Sequence, residues 1–335
     1  MKSIAVIVSC ICIGWILASC AHSPETPMFK RLESYRFDPA TPLIDRVAEV
    51  PAHLLESLKK LDGLDNYHPY IPTLDDMKKV VAAFHALPDM QRTVLDRRLV
   101  GIYFVENFAG GGYSDYLFDR DGNLYTILIL NPAILRTGIS KWITDKELSA
   151  FGNDRADIDL TVECREGDMS ALVYILLHET AHILDYVSGC TPYVEKELAD
   201  RGKPLDTASF TGMAWVDYDR PMAAYDFPQR SRLGFYGATS APRISRSELS
   251  KLYRSLAATP FTNLYASQNW AEDFAETAAF SSLARIIGSA CIIRVQGPAA
   301  DRFEVSTTAR EPVAKRLPIL YRGCGVKGRL APRLN

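Results

Sequence analysis

The segment His178-Glu179-Thr180-Ala181-His182 constrains this chain more than any other. It lies where Leu172, Ile175, Leu176, Glu179, Ile183 and Tyr186 recur at three- and four-residue steps. That period predicts a helix starting near Asp168 and ending near Gly189. On such a helix the i, i+4 spacing puts both imidazoles on one face, a turn apart, able to grip one tetrahedral zinc. Glu179 borders the same face, placed to take a proton from a water whose pKa the metal lowers. Catalytic zinc generally takes three protein ligands and leaves one place open, so the fold has to supply a third from elsewhere. The downstream His of the H-E-x-x-H-x-x-G-x-x-H pattern is absent, because Asp185 stands at the Gly place and Ser188 at the His place. No His follows His182, and His22, His53, His68 and His85 all lie in the N-terminal part. A carboxylate from a second helix is the better candidate.

The segment from Tyr265 to Glu276 supplies one. Glu272 and Glu276 are i and i+4, so one helix face carries both. Glu272 can reach zinc while Glu276 accepts the other N–H of a ligand imidazole and fixes its tautomer. Asn269 with Glu272 reads equally well as an N-cap with its N3 partner, a capping box that needs no metal. Spacing alone leaves both readings of Glu272 open.

At these residues the sequence resembles the zinc metallopeptidase domain of the anthrax lethal factor-like family, within the gluzincin-type peptidases. One motif is H-E-x-x-H-x-x-D, matched by His178, Glu179, His182 and Asp185. The other is matched in register by Tyr265, Asn269, Glu272, Phe274, Ala275 and Glu276. The resemblance implies zinc on His178, His182 and Glu272, with Glu179 as general base and acid. It also implies Tyr265 as a hydrogen-bond donor to the developing oxyanion, with Asp185, Glu276 and Asn269 as supporting residues around the ligands. It covers about a hundred residues, from the strands before His178 to the second motif, and gives no support to residues 20–95, 190–260 and 290–335.

The N-terminus points to export. After Met1-Lys2 comes an apolar run from Ile4 to Leu17, then Leu17-Ala18-Ser19-Cys20. The run is short for a bilayer span and fits the apolar region of a secretory signal. Its end matches a lipoprotein lipobox, so residues 1–19 are expected to be removed and Cys20 lipidated. Ala21, rather than Asp, follows the Cys, which favours the periplasmic face of an outer membrane. Processing discards Cys10 and Cys12 of the 7 Cys, leaving Cys164, Cys190, Cys291 and Cys324 beside the lipidated one. An even number in an oxidising compartment suggests up to two disulfides. Cys164 and Cys190 flank the long helix, which at about 1.5 Å per residue holds them far beyond bonding range; the other partners stay open.

Elsewhere the pattern predicts a tether over residues 20–40 and a helix from Leu43 to Lys60 broken at Pro51. Further helices are expected over Leu74–Leu87 and from Pro88 toward Leu99. Val100–Val105 reads as a buried strand, and Gly110–Gly112 as a mobile loop with the makings of a lid. Tyr116–Phe118 and Leu124–Leu130 form a hairpin around the Asp-Gly turn at Asp121-Gly122. The acidic residues there read as turn chemistry and lack a full calcium ligand set. Thr191–Pro242 is expected to be irregular, with helices over Ser247–Ala257 and Asn269–Ile287.

The expected fold is therefore α+β and zincin-like, one domain over 41–335, with a small mixed sheet packed on the His178 helix and a second, Glu-bearing helix. With Lys+Arg 38 against Asp+Glu 40 there is no electrostatic footprint for nucleic acid. The expected activity is that of a lipid-anchored, zinc-dependent endopeptidase on peptide or protein substrates. The Leu124–Leu130 strand is a candidate to bind peptide by strand addition. The alternatives are a peptidoglycan peptide or amide hydrolase, and a non-catalytic zinc-binding scaffold lipoprotein.

Overall fold

The computed structural model describes residues 26–154, 157–165, 169–195, 205–236 and 244–325. The expected signal peptide, Cys20 and the helix start at Asp168 lie outside them. In chain order the elements are β1 (Val47–Ala48), α1 (Ala52–Asp62), β2 (His68–Tyr70), α2 (Leu74–His85), α3 (Asp89–Arg98) and β3 (Leu99–Glu106). Next come β4 (Gly112–Phe118), β5 (Leu124–Leu130), α4 (Ile139–Leu148), β6 (Asp159–Glu163) and α5 (Ala171–Ser188). Then follow β7 (Trp215–Asp217), β8 (Arg220–Pro221), α6 (Leu249–Ala257), α7 (Trp270–Ile287), β9 (Ile292–Gln296), β10 (Phe303–Ser306) and α8 (Glu311–Ala314). The class is α+β. Among the described residues no helix is long and apolar enough to cross a membrane.

The main sheet has the order β1-β3-β5-β4, with β2 also paired to β3. β3 and β5 are parallel; β4 runs antiparallel to β5 along its whole length, from Gly112 opposite Leu130 to Phe118 opposite Leu124. The two central strands read as nearly continuous apolar runs because both of their faces are covered. Ile102, Phe104, Leu128 and Leu130 pack toward α2, α3 and α5, while Val100, Tyr103, Val105, Ile127 and Ile129 pack toward α1. A second antiparallel sheet, β10-β9-β6, lies beside α4.

Four expectations need correction. Leu124–Leu130 has no free edge, because β3 and β4 flank it; strand addition to it is blocked on both sides. Gly110–Gly112 is no lid: Asn131 donates from its backbone to Gly111 O and from its side chain to Gly110 O and Phe108 O, pinning the loop. The helix expected from Leu43 is a short 3-10 turn over Leu43–Arg46, followed by β1. The buried Arg46 guanidinium draws the chain there onto the carbonyls of Leu95, Asp96 and Leu99, and Pro51 then starts α1 afresh. The described part of the expected tether is folded, with Phe29, Leu32, Tyr35 and Phe37 packed on the α1 side of the sheet. The hairpin turn is as expected: Asp119 accepts from the backbones of Asp121 and Asn123.

Two disulfides, Cys164–Cys291 and Cys190–Cys324, close sequence separations of 127 and 134 residues. The first joins β6 to β9. The second ties the end of α5 to the C-terminal segment. Loops this long restrict the unfolded chain strongly, so replacing either pair by Ser should cost about 2–5 kcal/mol, read as a lower urea midpoint. An unchanged midpoint for both variants would show that neither bridge constrains the unfolded chain.

Candidate metal centre

The site is built where α5 and α7 pack against each other. α5 is buried from Ala171 to Tyr186 on all sides, so its polar residues have to find partners inside the protein. α7 is oriented from its first turn. The Asn269 side chain accepts from the Glu272 backbone at 2.9 Å, capping the helix. Asp273, fully buried, takes the Arg316 guanidinium at 2.6 Å and the Trp215 indole at 2.8 Å. With Asp273 locked on that side, Glu272 faces α5. Both readings of Asn269 and Glu272 therefore hold in part: Asn269 caps, and the Glu272 carboxylate turns to the histidines.

His178 Nε2, His182 Nε2 and Glu272 Oε2 form a triangle with sides of 3.2, 3.3 and 3.4 Å. Around an ion with ligand distances of about 2.0–2.1 Å, the edges of a tetrahedron measure about 3.3–3.4 Å. The three atoms thus occupy one face of a tetrahedron of zinc dimensions, leaving the fourth corner open. Glu272 Oε2 is buried and accepts no hydrogen bond among the described residues. Lone pairs converging on one point are costly unless a cation or protons sit between them. The residues fit a zinc ion.

The charge balance agrees. Burial opposes a second proton on His178, but Glu272 and Glu276 outweigh it and push its pKa up to about 10. Glu272 is held well below the usual carboxylate range, since His182 and His178 overcome its burial. Burial raises Glu179, against the pull of His178 and His182, and the Ser114 hydroxyl hydrogen-bonds to it.

Glu276 lies behind His178, its Oε1 2.9 Å from His178 Nδ1. It is completely buried and takes Lys146 Nζ at 2.7 Å, the Tyr174 hydroxyl at 2.6 Å and the Asn263 amide at 2.7 Å. Burial disfavours its charge, yet Lys146 and His178 hold its pKa down to about 2. A carboxylate so fixed sets the orientation of the ring in front of it. Asp185 lies close enough to His182 to feel its charge and also braces the local backbone. Its carboxylate accepts from the Thr191 backbone at 2.7 Å and hydroxyl at 2.6 Å, bracing the turn after α5, and burial raises its pKa to about 6.

Beside the ligands a cavity of about 100 Å³ opens, lined by Gly110–Gly112, Lys146, Glu179, Tyr236 and Tyr265 among others. That volume holds a few waters or one small chemical group. Tyr265 sits on the turn before α7, its ring centroid 6.0 Å from that of His178. Burial, with Glu272 next in effect, raises its pKa well above the ordinary value, so the hydroxyl stays a donor. Gly112 permits the close approach of sheet to helix: a Cβ there would stand 2.8 Å from Glu179 Cγ and 2.9 Å from Ile175 Cγ2.

Sequence reasoning missed Lys146, Tyr174 and Asn263. One signal was present, because Ile139, Ile143, Lys146 and Glu147 share a single face of α4 and two charges interrupt it. Comparison with protein-family models, with curated protein sequences and with solved structures finds no match to this chain.

Glu272→Ala should drop zinc content from about one per chain to a small fraction while leaving α7 folded, as read by metal analysis and circular dichroism. Full zinc retention would remove Glu272 from the ligand set. Lys146→Met strands the Glu276 charge in the interior and should destabilise the chain by about 3–5 kcal/mol in denaturant titration.

Proposed function

We propose that this chain is a zinc-dependent peptidase of the bacterial cell envelope, zincin-like and akin to the anthrax lethal factor-like family. The observation that carries the reading is the triangle of His178, His182 and Glu272 with an open fourth corner beside Glu179. Structural zinc sites close all four places, usually with Cys and His, whereas an open place with an adjacent carboxylate is the arrangement used for hydrolysis. A bound zinc would supply Lewis acidity toward a carbonyl and make water a better nucleophile.

The remaining work falls to the chain's own residues. Glu179, desolvated and hydrogen-bonded to Ser114, accepts a proton from the attacking water and returns it to the leaving amine. Tyr265, kept protonated, donates to the oxygen on which negative charge develops. Glu276, fixed by Lys146, Tyr174 and Asn263, holds the His178 ring. Asn269 sets the first turn of α7, and with it the position of Glu272. Substrate is a peptide or protein, its reacting carbonyl entering the cavity beside Glu179 and Tyr265.

Lipidation at Cys20 would anchor the chain to the outer membrane, facing the periplasm. The two disulfides support passage through an oxidising compartment.

Zinc-loaded protein should cleave members of a mixed peptide library, and chelator should abolish the activity. Glu179→Gln should keep about one zinc per chain and lose turnover by about 10²–10⁴-fold. Undiminished cleavage by that variant would sink the catalytic assignment. Release of peptides from peptidoglycan, with no cleavage of the library, would point instead to a cell-wall hydrolase. Zinc retention without hydrolysis of either would leave a binding protein.

A further inference from the structure

The two helices that supply the ligands share a common neighbour. Ala181 and Leu184 of α5 pack with Phe274 and Ala278 of α7 in an apolar cluster, which Ile319 and Leu320, after α8, complete. On either side of those two residues the C-terminal segment is fastened, at Arg316 to α7 and at Cys324 to the end of α5.

The first fastening saturates a guanidinium. Arg316 is 1% exposed. Its Nη1 and Nη2 fork onto the two Asp273 oxygens at 3.2 and 2.6 Å. Nη1 also donates to Pro260 O at 3.0 Å, while Nη2 and Nε donate to Phe210 O at 2.9 and 3.2 Å. Every N–H of the group is thereby used, and the guanidinium carbon lies 3.8 Å from the centroid of the Phe210 ring. A planar fork fixed on all its donors holds a carboxylate in one orientation, as a point charge does not. Asp273 follows Glu272 in the first turn of α7, so holding the one fixes the rotation of the helix that aims the other.

The second fastening is covalent. Cys190 and Cys324 are bonded, and Gly325 N donates to Ser188 O at 3.1 Å, at the end of α5. Gly323 lets the segment come this close, since a Cβ there would stand 2.7 Å from Cys190 O. We infer, resting on the zinc reading above, that Arg316 is a positioning residue for Glu272 and that the Cys190–Cys324 bridge latches the segment bearing it. The segment spans α5 and α7 and keeps Glu272 at its distance from His178 and His182. A metal site needs that geometry to about 0.5 Å, so slight loosening costs affinity. Cys164–Cys291, which joins β6 to β9, has no such part. A bridge that acts only on the unfolded chain changes stability and leaves the folded site as it was. The latch acts on the folded site as well.

The test is zinc affinity of the full chain, measured by competition with a chromogenic chelator beside circular dichroism and urea midpoints. Arg316→Lys keeps the interior charge but not the fork, and should weaken zinc binding by about 10–100-fold in folded protein. Cys190→Ser with Cys324→Ser strands no charge and should weaken it about threefold or more. Cys164→Ser with Cys291→Ser should also lower the urea midpoint but leave zinc affinity unchanged. Affinity within about twofold of wild type in folded Arg316→Lys would overturn the role of Arg316, and the same result in the latch variant would overturn the latch. If Arg316→Lys does not fold, the latch variant decides alone. An equal loss of affinity in both cysteine variants would mark general loosening and overturn the inference. All these outcomes leave the zinc reading intact as long as the wild type binds one zinc. Failure of the wild type to bind zinc would remove that reading, and the inference with it.

Discussion

A helix buried on every side that carries two imidazoles and a carboxylate sets the terms for everything around it. α5 cannot leave His178, Glu179 and His182 without partners in a dry interior, since unpaired polar groups there cost several kcal/mol. The centre answers most of that demand, although the buried His182 Nδ1 makes no hydrogen bond among the described residues. α7 brings Glu272 to the histidines, α4 brings Lys146 to Glu276, and the sheet edge brings Ser114 to Glu179. Each added charge is balanced by another, which is why the cluster draws on four separate elements.

This arrangement divides the labour between two neighbouring groups of residues. His178, His182 and Glu272 present lone pairs to one point. Glu276, Lys146, Tyr174 and Asn263 are saturated with one another, and their role is to keep His178 from turning. The rigid group lies behind the His178 ring, and the converging lone pairs lie in front of it. The same rigidity reaches the cleft wall, where Gly111 and Gly112 pack directly on Ile175 and Glu179.

The N-terminal segment is part of the folded body. Phe29, Leu32, Tyr35 and Phe37 pack on the α1 face of the sheet. The segment meets the outer strand through Lys30 and Arg31.

Much of the chemistry was legible in the sequence because it is local. Two histidines four apart on a helical period share a face whatever the surrounding fold, and so do Glu272 and Glu276. The cap at Asn269 is equally local, but it left Glu272 ambiguous, because the same spacing serves a cap and a ligand. Everything that depends on long-range pairing was out of reach. Lys146 meets Glu276 across 130 residues, and the disulfides close 127 and 134. Leu124–Leu130 reads as a good strand, but only the order of the sheet makes it central and β4 the edge. The sequence alone determined which groups could hold a metal and share a helix face, since helix geometry dictates that. Which carboxylate turns to the histidines, what fixes it there and which strands lie at the sheet's edges were decided by packing between distant segments.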